Sequence, residues 1–133
     1  MNYALDAGAM IAFLENEPGV EVVVEALTEP GSHCYAHLIN LAEIYYLYFR
    51  EGGVSLAEEA LQTLEEAGVV LREDHDSPFW KEAALYKGQH AMALPDAFCL
   101  ALARRVGGVL LTTDRKELGP LAPLGYAPIR FLR

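Results

Sequence analysis

The chain has 133 residues, of which 53% are hydrophobic, and this size suits one domain with a substantial core. Its net charge of -9 argues against nucleic-acid binding by the whole surface. The charge is unevenly divided, because residues 1–66 contain twelve acids and one base, whereas residues 67–133 contain seven acids and nine bases. We therefore expect a polyanionic ligand to bind the C-terminal half.

Neither the cysteines nor the apolar segments indicate an exported or membrane-bound protein. Cys34 and Cys99 lie in apolar stretches without metal-type spacing, so we expect buried, reduced thiols. No basic and apolar leader precedes the first predicted strand, and no run reaches the ~18 apolar residues of a membrane span. The sequence therefore predicts a cytoplasmic protein with no membrane partner.

Apolar runs and helix breakers in the first half predict two short strands and four helices. In chain order these are strand Tyr3–Leu5, helix Ala9–Leu14, helix Val20–Leu27, strand His33–Ala36, helix Leu38–Arg50 and helix Ser55–Ala67. Gly52 and Gly53 form a turn between the last two helices, and Ser55 with Glu58 matches a capping box. The Leu38–Arg50 helix is apolar almost all round, which predicts burial on most sides. Glu43 lies within it and would need a partner or a metal ion, because an unpaired buried charge is costly.

The second half predicts alternating strands and helices. In chain order these are strand Val69–Leu71, a helix from Asp76 or Ser77 to about His90, helix Leu94–Arg105, strand Val109–Thr112, a loop or short helical segment over Gly119–Pro128, and an edge strand Ile129–Leu132. This alternation predicts one α/β domain over residues 1–133, a three-layer sandwich with helices on both faces of a mainly parallel sheet.

Four acids are expected at one edge of this sheet. Asp6 and Asp114 each follow a predicted strand directly, and ligands of parallel sheets gather at the carboxyl ends of the strands. Asp96 lies in the first turn of its helix, and Glu43 is close enough to its helix start to reach the same edge. Converging carboxylates repel one another unless a cation lies among them. Oxygen ligands without histidine or cysteine favour Mg²⁺ or Mn²⁺ over zinc.

Taken singly, three of these acids have ordinary structural explanations. Asp6 could cap the first helix, and Asp114 could close the turn after its strand. Asp96 could be stabilised by the helix dipole in the first turn of its helix. A helix interior, however, has no structural need for Glu43. The joint placement of the four acids therefore carries the functional interpretation.

Four segments resemble, in order and spacing, the motifs of the PIN-domain nucleases, most closely the small VapC-type toxins: LDAGAMIAFL, NLAEIYY, LPDAFCLALA and LLTTDRKE. The resemblance implies a catalytic set of Asp6, Glu43, Asp96 and Asp114, in which the three aspartates bind the metal. Asn40 and Thr112 match supporting polar positions of the family, and Glu117 is an additional acid at the rim. Many relatives carry Ser or Thr after the first acid, whereas this chain has Ala7 and Gly8.

The same resemblance implies an Mg²⁺- or Mn²⁺-dependent endoribonuclease, the toxin of a type II toxin–antitoxin pair. Its implied partners are an RNA substrate, a cognate antitoxin and a second copy of the chain. Arg115 and Lys116, beside Asp114, are the candidate RNA-binding residues. The aromatic cluster of the third helix is a candidate dimer surface: Tyr45, Tyr46, Tyr48 and Phe49.

Two alternatives remain open at this point. Ala7 and Gly8 would suit a catalytically weak or inactive PIN-like module that binds RNA or protein. A phosphatase with Asp6 as its nucleophile is a second alternative, although no acid stands at position 8 and no lysine is suitably placed.

Overall fold

Five parallel strands form a single sheet in the computed structural model, which describes residues 1–133. The strands are β1 (Asn2–Leu5), β2 (His33–His37), β3 (Val69–Arg72), β4 (Val109–Thr112) and β5 (Ile129–Phe131). Their order across the sheet is β3-β2-β1-β4-β5, and every neighbouring pair is parallel. The predicted mainly parallel sheet is confirmed, and β5 is an edge strand as expected.

Helices cover both faces of this sheet: α1 (Ala7–Glu15), α2 (Val20–Thr28), α3 (Leu38–Ala67), α4 (Ser77–Gln89), α5 (Leu94–Arg105) and α6 (Arg115–Leu118), with a 3₁₀ helix over Gly119–Leu124. Successive residues of β1 point to opposite sides, since Tyr3 and Leu5 pack with α1, α2 and α3 whereas Ala4 packs with α4 and α5. The two resulting cores confirm the three-layer α/β sandwich.

The glycine break predicted within α3 is confirmed, whereas the predicted capping box is not. Gly52 and Gly53 have non-helical backbone angles and separate the two expected helices by a kink, where Gly53 has φ 78° and ψ −170°. Only glycine adopts this conformation without strain. The expected capping box is wrong, because Ser55 makes no side-chain hydrogen bond and the carboxylate of Glu58 instead accepts one from the Tyr45 hydroxyl at 3.1 Å.

The predicted burial of the first part of α3 is also wrong. Leu38, Tyr46 and Phe49 are 44%, 43% and 50% exposed, and one face of the helix is therefore open to solvent. Tyr48 points the other way, is buried, and donates a hydrogen bond to Glu15 at 2.7 Å. The aromatic cluster is thus divided between the core and the surface.

The central strands β1 and β4 define the functional edge of the sheet. β1 pairs with β2 on one side and with β4 on the other. The direction in which successive strands are added to the sheet therefore reverses between β1 and β4. Such a reversal leaves a crevice at the carboxyl ends of the strands. Asp6 follows β1 at this point, and its backbone N–H extends the ladder by donating to Leu111 at 3.2 Å.

Cys34 and Cys99 are buried and unpaired, in agreement with the sequence. None of the helices combines the length and apolar character required to cross a bilayer.

Candidate active site

A cleft of about 470 Å³ opens at the carboxyl edge of the sheet, between β1, β4 and the starts of α3 and α5. Half of its ten lining residues are acids: Asp6, Glu43, Asp96, Asp114 and Glu117. The other five are Ala7, Gly8, Ala93, Pro95 and Thr113, so no basic side chain lines the cleft. The fold therefore brings together the four acids expected from the sequence and adds Glu117 to them.

Asp6 is the most enclosed of these acids, with only 3% of its surface exposed. It caps α1, because one carboxylate oxygen accepts a hydrogen bond from the Ala9 N–H at 2.8 Å and the other accepts one from the Thr112 hydroxyl. Burial raises its pKa to about 6, against the opposing effect of both hydrogen bonds. Each oxygen keeps a second lone pair, so these hydrogen bonds hold the carboxylate in place and leave it able to bind a cation.

Thr112 links the acids that follow the two central strands. It is fully buried at the end of β4, where its hydroxyl donates to Asp6 and accepts a hydrogen bond from the Asp114 N–H at 2.9 Å. One hydroxyl can do both because it carries a donor and two acceptor lone pairs. Thr112 thereby fixes the spacing of two carboxyl-bearing segments.

Asp114 caps α6, a short helix that the sequence patterns did not predict. Its Oδ1 accepts from the Glu117 N–H at 3.0 Å, and this turn brings the Glu117 side chain into the cleft. Glu117 in turn accepts a hydrogen bond from the Ala93 N–H at 3.0 Å, just before α5 begins. Carboxylate oxygens of Asp96, Asp114 and Glu117 consequently lie within 4.8 Å of one another. Asp6 lines the same cleft but is not part of this closest trio.

The electrostatics of the cleft are dominated by unneutralised carboxylates. Burial, a hydrogen bond shared with Glu117 and the charges of Asp6 and Asp114 raise the pKa of Asp96 to about 8. The pKa of Glu117 is lowered, chiefly by the same hydrogen bond. Burial also raises the pKa of Glu43. No basic side chain in the lining offsets the burial and mutual repulsion of these carboxylates.

This donor set fits a hard divalent cation. All candidate ligands are carboxylate oxygens, three of them converge within the reach of one ion, and no lysine or arginine in the lining competes for them. Mg²⁺ and Mn²⁺ prefer such ligands, whereas zinc sites generally include nitrogen or sulfur.

Asn40 lies behind the cleft rather than in its lining. It is fully buried on α3, and its amide nitrogen donates to the Pro95 carbonyl at 3.4 Å. Its carbonyl oxygen has no hydrogen-bond partner. Because Pro95 directly precedes Asp96, Asn40 ties the helix of Glu43 to the start of α5.

The two candidate RNA-binding residues occupy different environments outside the lining of the cleft. Arg115 packs its guanidinium over Phe131, 4.6 Å from the ring centre, and donates to the Arg133 carbonyl at 2.7 Å. Lys116 is exposed and forms no hydrogen bond or ion pair. Lys116 and Lys87 both lower the pKa of Glu117 by their charge, which places them at the Glu117 side of the cleft.

Sequence reasoning did not single out Thr113 or His37. Thr113 lines the cleft between Thr112 and Asp114, and a hydroxyl beside the last acid was its one available signal. His37 caps α3, accepting from the Ile39 N–H at 3.1 Å while its other ring nitrogen bonds the Asp74 carbonyl at 2.8 Å. No spacing rule in the sequence predicts a histidine cap.

A parallel sheet with a cluster of carboxylates at its point of strand reversal defines an α/β domain with a metal-type acidic cleft. The PIN domain sequence model matches residues 3–118, and the chain belongs to the PIN-domain family. A comparison with curated proteins finds no match.

Solved structures of toxin–antitoxin proteins share the fold over nearly the whole chain. VapBC2 from Rickettsia felis, bound to a promoter DNA fragment, has 12% identity and a TM-score of 0.75, with 98% of each chain covered. VapBC-1 from nontypeable Haemophilus influenzae has 21% identity and a TM-score of 0.73, covering 99% of this chain and 98% of that one. VapC20 from Mycobacterium tuberculosis, a sarcin–ricin loop cleaving toxin, has 15% identity and a TM-score of 0.69, covering 89% and 94%.

Proposed function

We propose that the protein is a metal-dependent endoribonuclease that hydrolyses RNA phosphodiester bonds and acts as the toxin of a type II toxin–antitoxin pair. The observation that carries this proposal is that five carboxylates line one cleft whose lining contains no lysine or arginine. Membership of the PIN-domain family and the fold shared with VapC20, a sarcin–ricin loop cleaving toxin, support the choice of substrate.

Asp6, Asp96 and Asp114 are the proposed ligands of Mg²⁺ or Mn²⁺, with Glu43 as the fourth acid of the catalytic set. Glu117 supports the site as the third member of the closest trio, with Asp96 and Asp114. The ion would stabilise charge on the scissile phosphate and make a water molecule a better nucleophile. The chain's own residues prepare this site. Thr112 holds Asp6 and Asp114 in register, and burial and the neighbouring acids raise the pKa of Asp96, an effect that a bound cation would offset.

The decisive experiment compares two conservative variants, Asp96→Asn and Asp76→Asn, using a labelled RNA and Mn²⁺. Asp96→Asn should lower cleavage at least about 100-fold and should also abolish the Mn²⁺-induced rise in melting temperature. Asp76 is the matched control because it is exposed and paired with Arg105 outside the cleft. Undiminished cleavage by Asp96→Asn would refute the proposed site.

The alternative is a catalytically weak or inactive PIN-like module that binds RNA or protein. Ala7 and Gly8 favour it, since neither supplies the hydroxyl that many relatives carry after the first acid. Such a module would show no Mn²⁺-dependent gain in thermal stability, whereas a metal-dependent nuclease would gain stability by mass action.

An antitoxin partner is part of the proposal. Solved structures that share the fold include complexes of VapB with VapC. The N-terminal half of this chain, with twelve acids and one base, offers charge complementarity to a basic segment of such a partner. We expect the antitoxin to place a basic side chain against the acids of the cleft.

A homodimer is also proposed, with the exposed face of α3 as its interface. Leu38, Tyr46 and Phe49 are each at least 43% exposed, and large apolar patches are unusual on monomers. An apolar groove of about 330 Å³ adjoins Leu38 and Tyr46 on this face. Sedimentation equilibrium should therefore give the mass of two chains, and Tyr46→Glu should shift it towards one.

Proposed contacts for RNA phosphates are Arg115 and Lys116, and such an activity on cellular RNA would take place in the cytoplasm. Lys116 is the freer of the two cations, because Arg115 already contacts Phe131 and Arg133.

A further inference from the structure

Two adjacent threonines at the end of β4 use their hydroxyls differently. The hydroxyl of Thr112 is buried and bonded to Asp6 and to the Asp114 backbone. Thr113 lines the cleft and its hydroxyl makes no hydrogen bond within the protein. One hydroxyl is therefore structural, and the other is available to a ligand.

Gly8 provides the space that the Thr113 hydroxyl occupies. A Cβ atom on residue 8 would lie 2.4 Å from the Thr113 Oγ1 and 3.5 Å from an oxygen of Asp6. The backbone at Gly8 is not left-handed, so its conformation does not require glycine. Glycine near the start of a helix carries an entropic cost relative to alanine. Glycine at this position leaves room for the Thr113 hydroxyl in its present rotamer.

A phosphate group entering this cleft needs hydrogen-bond donors as well as a cation. Ionised carboxylates only accept hydrogen bonds, and the remaining lining side chains, those of alanine and proline, have no donor. Thr113 carries the one hydroxyl among the lining residues. It is adjacent to Asp114 in the chain and close to Asp6 in space.

We infer that the Thr113 hydroxyl donates a hydrogen bond to a non-bridging oxygen of the bound phosphate, and that Gly8 is small in order to admit it. This inference rests on the proposed function, because it names a substrate contact of the same cleft. It also accounts for the absence of a hydroxyl at positions 7 and 8, since Thr113, at the end of β4, supplies the hydroxyl to the cleft instead.

The test compares Thr113→Val with Thr113→Ser. Valine has nearly the shape of threonine without the hydroxyl, and serine retains the hydroxyl. Three quantities are measured: Mn²⁺ binding by calorimetry, binding of inorganic phosphate to the Mn²⁺-loaded protein, and the KM for RNA cleavage. Thr113→Val should bind Mn²⁺ like the wild type, but bind phosphate about tenfold more weakly and show a KM raised by a similar factor. Thr113→Ser should recover most of both losses.

A second pair of variants tests the spatial relation to Gly8. Gly8→Ser alone should lower the melting temperature, because its Cβ would overlap the Thr113 hydroxyl. Adding Thr113→Ala removes that overlap and places a serine hydroxyl in the same space. The double variant should therefore regain the stability lost by Gly8→Ser and bind phosphate more tightly than Thr113→Ala alone.

Failure of this inference can be distinguished from failure of the proposed function. A wild-type protein that does not bind Mn²⁺ would overturn both. A wild-type protein that binds Mn²⁺ and phosphate, together with a Thr113→Val variant of equal phosphate affinity, would overturn only the role of Thr113. A Gly8→Ser variant as stable as the wild type would overturn the role assigned to Gly8.

Discussion

At the scale of single residues, two acids of the cleft, Asp96 and Asp6, have raised pKa values and therefore bind protons more readily than free carboxylates do. The pKa of Asp96 is raised to about 8 and that of Asp6 to about 6, in both cases mainly by burial. An acid with a raised pKa in the folded state binds more protons there than in the unfolded chain. The folded protein without metal is therefore destabilised as pH rises from about 4 to about 8.

The first prediction concerns this pH dependence. Without metal, the melting temperature should fall by about 5 °C between pH 5 and pH 8, because the folded state must release its extra protons. Mn²⁺ replaces those protons, so the stabilisation that it gives should increase over the same interval. Differential scanning calorimetry at several pH values, with Mn²⁺ or with a chelator, measures both effects.

Two variants assign the effect to the cleft. Asp96→Asn should flatten the decline between pH 5 and pH 8. Asp76→Asn should leave it unchanged, because the Arg105 guanidinium lowers the pKa of Asp76 to about 2, below this interval. An equally steep decline in Asp96→Asn would show that another group is responsible.

At the scale of the secondary-structure elements, His37 connects four segments: α3, the Asp74 loop, α4 and α5. Its ring caps α3, bonds the Asp74 carbonyl, and lies 5.2 Å from Phe79 on α4 and 5.0 Å from Phe98 on α5. It is 2% exposed, and burial is the main cause that lowers its pKa. The ring thereby fixes the start of α3, which carries Glu43, against the helix that carries Asp96.

The second prediction is that His37→Leu lowers the free energy of unfolding by about 2–4 kcal/mol, since a helix cap is lost and a carbonyl loses its partner. His37→Asn should cost less, because asparagine can still cap the helix. His33→Leu is the matched control at an exposed position and should change stability by less than about 0.5 kcal/mol. Urea denaturation measures all three, and equal losses in the leucine and asparagine variants at position 37 would contradict the capping role.

Sequence patterns predicted the strands and most helices because periodicity and glycine or proline breakers report local structure. They also predicted that the acids after β1 and β4 lie at the same edge, because topology alone determines this. The short helix α6 was not predicted, and Glu117 was placed only at the rim, because a single turn capped by Asp114 has no periodicity. The contact between Gly8 and Thr113 lies between residues distant in the chain, so no local pattern reveals it.

At the scale of the whole molecule, ion pairs limit the cations that are available to RNA. Half of the ten basic residues are paired with carboxylates: Arg72, Arg104, Arg105, Arg130 and Arg133. Three others lie over aromatic rings: Arg50, Lys81 and Arg115. The remaining two, Lys87 and Lys116, have no acidic partner within ion-pair distance and act on Glu117 from the rim of the cleft.

The third prediction is that these two lysines account for part of the salt dependence of RNA affinity, beside the phosphate contact proposed for Arg115. Each phosphate neutralised on a single strand contributes about −0.7 to the slope of log K against log salt concentration. Lys87→Ala and Lys116→Ala should therefore each reduce the slope by about that amount, and the double variant by about twice as much. Fluorescence anisotropy with a short oligoribonucleotide, titrated between 50 and 200 mM salt (about the range over which this effect is large), gives the slopes.

Lys81→Ala is the matched control for this experiment, because Lys81 is an exposed cation on the same helix as Lys87 but lies over Trp80. It should leave the slope unchanged. A wild-type slope in the double variant would mean that the phosphates follow another path, with Arg115 as the next cation to test. A reduced slope with unchanged Mn²⁺ affinity would separate the binding of RNA along the rim from the binding of the metal by the acids below it.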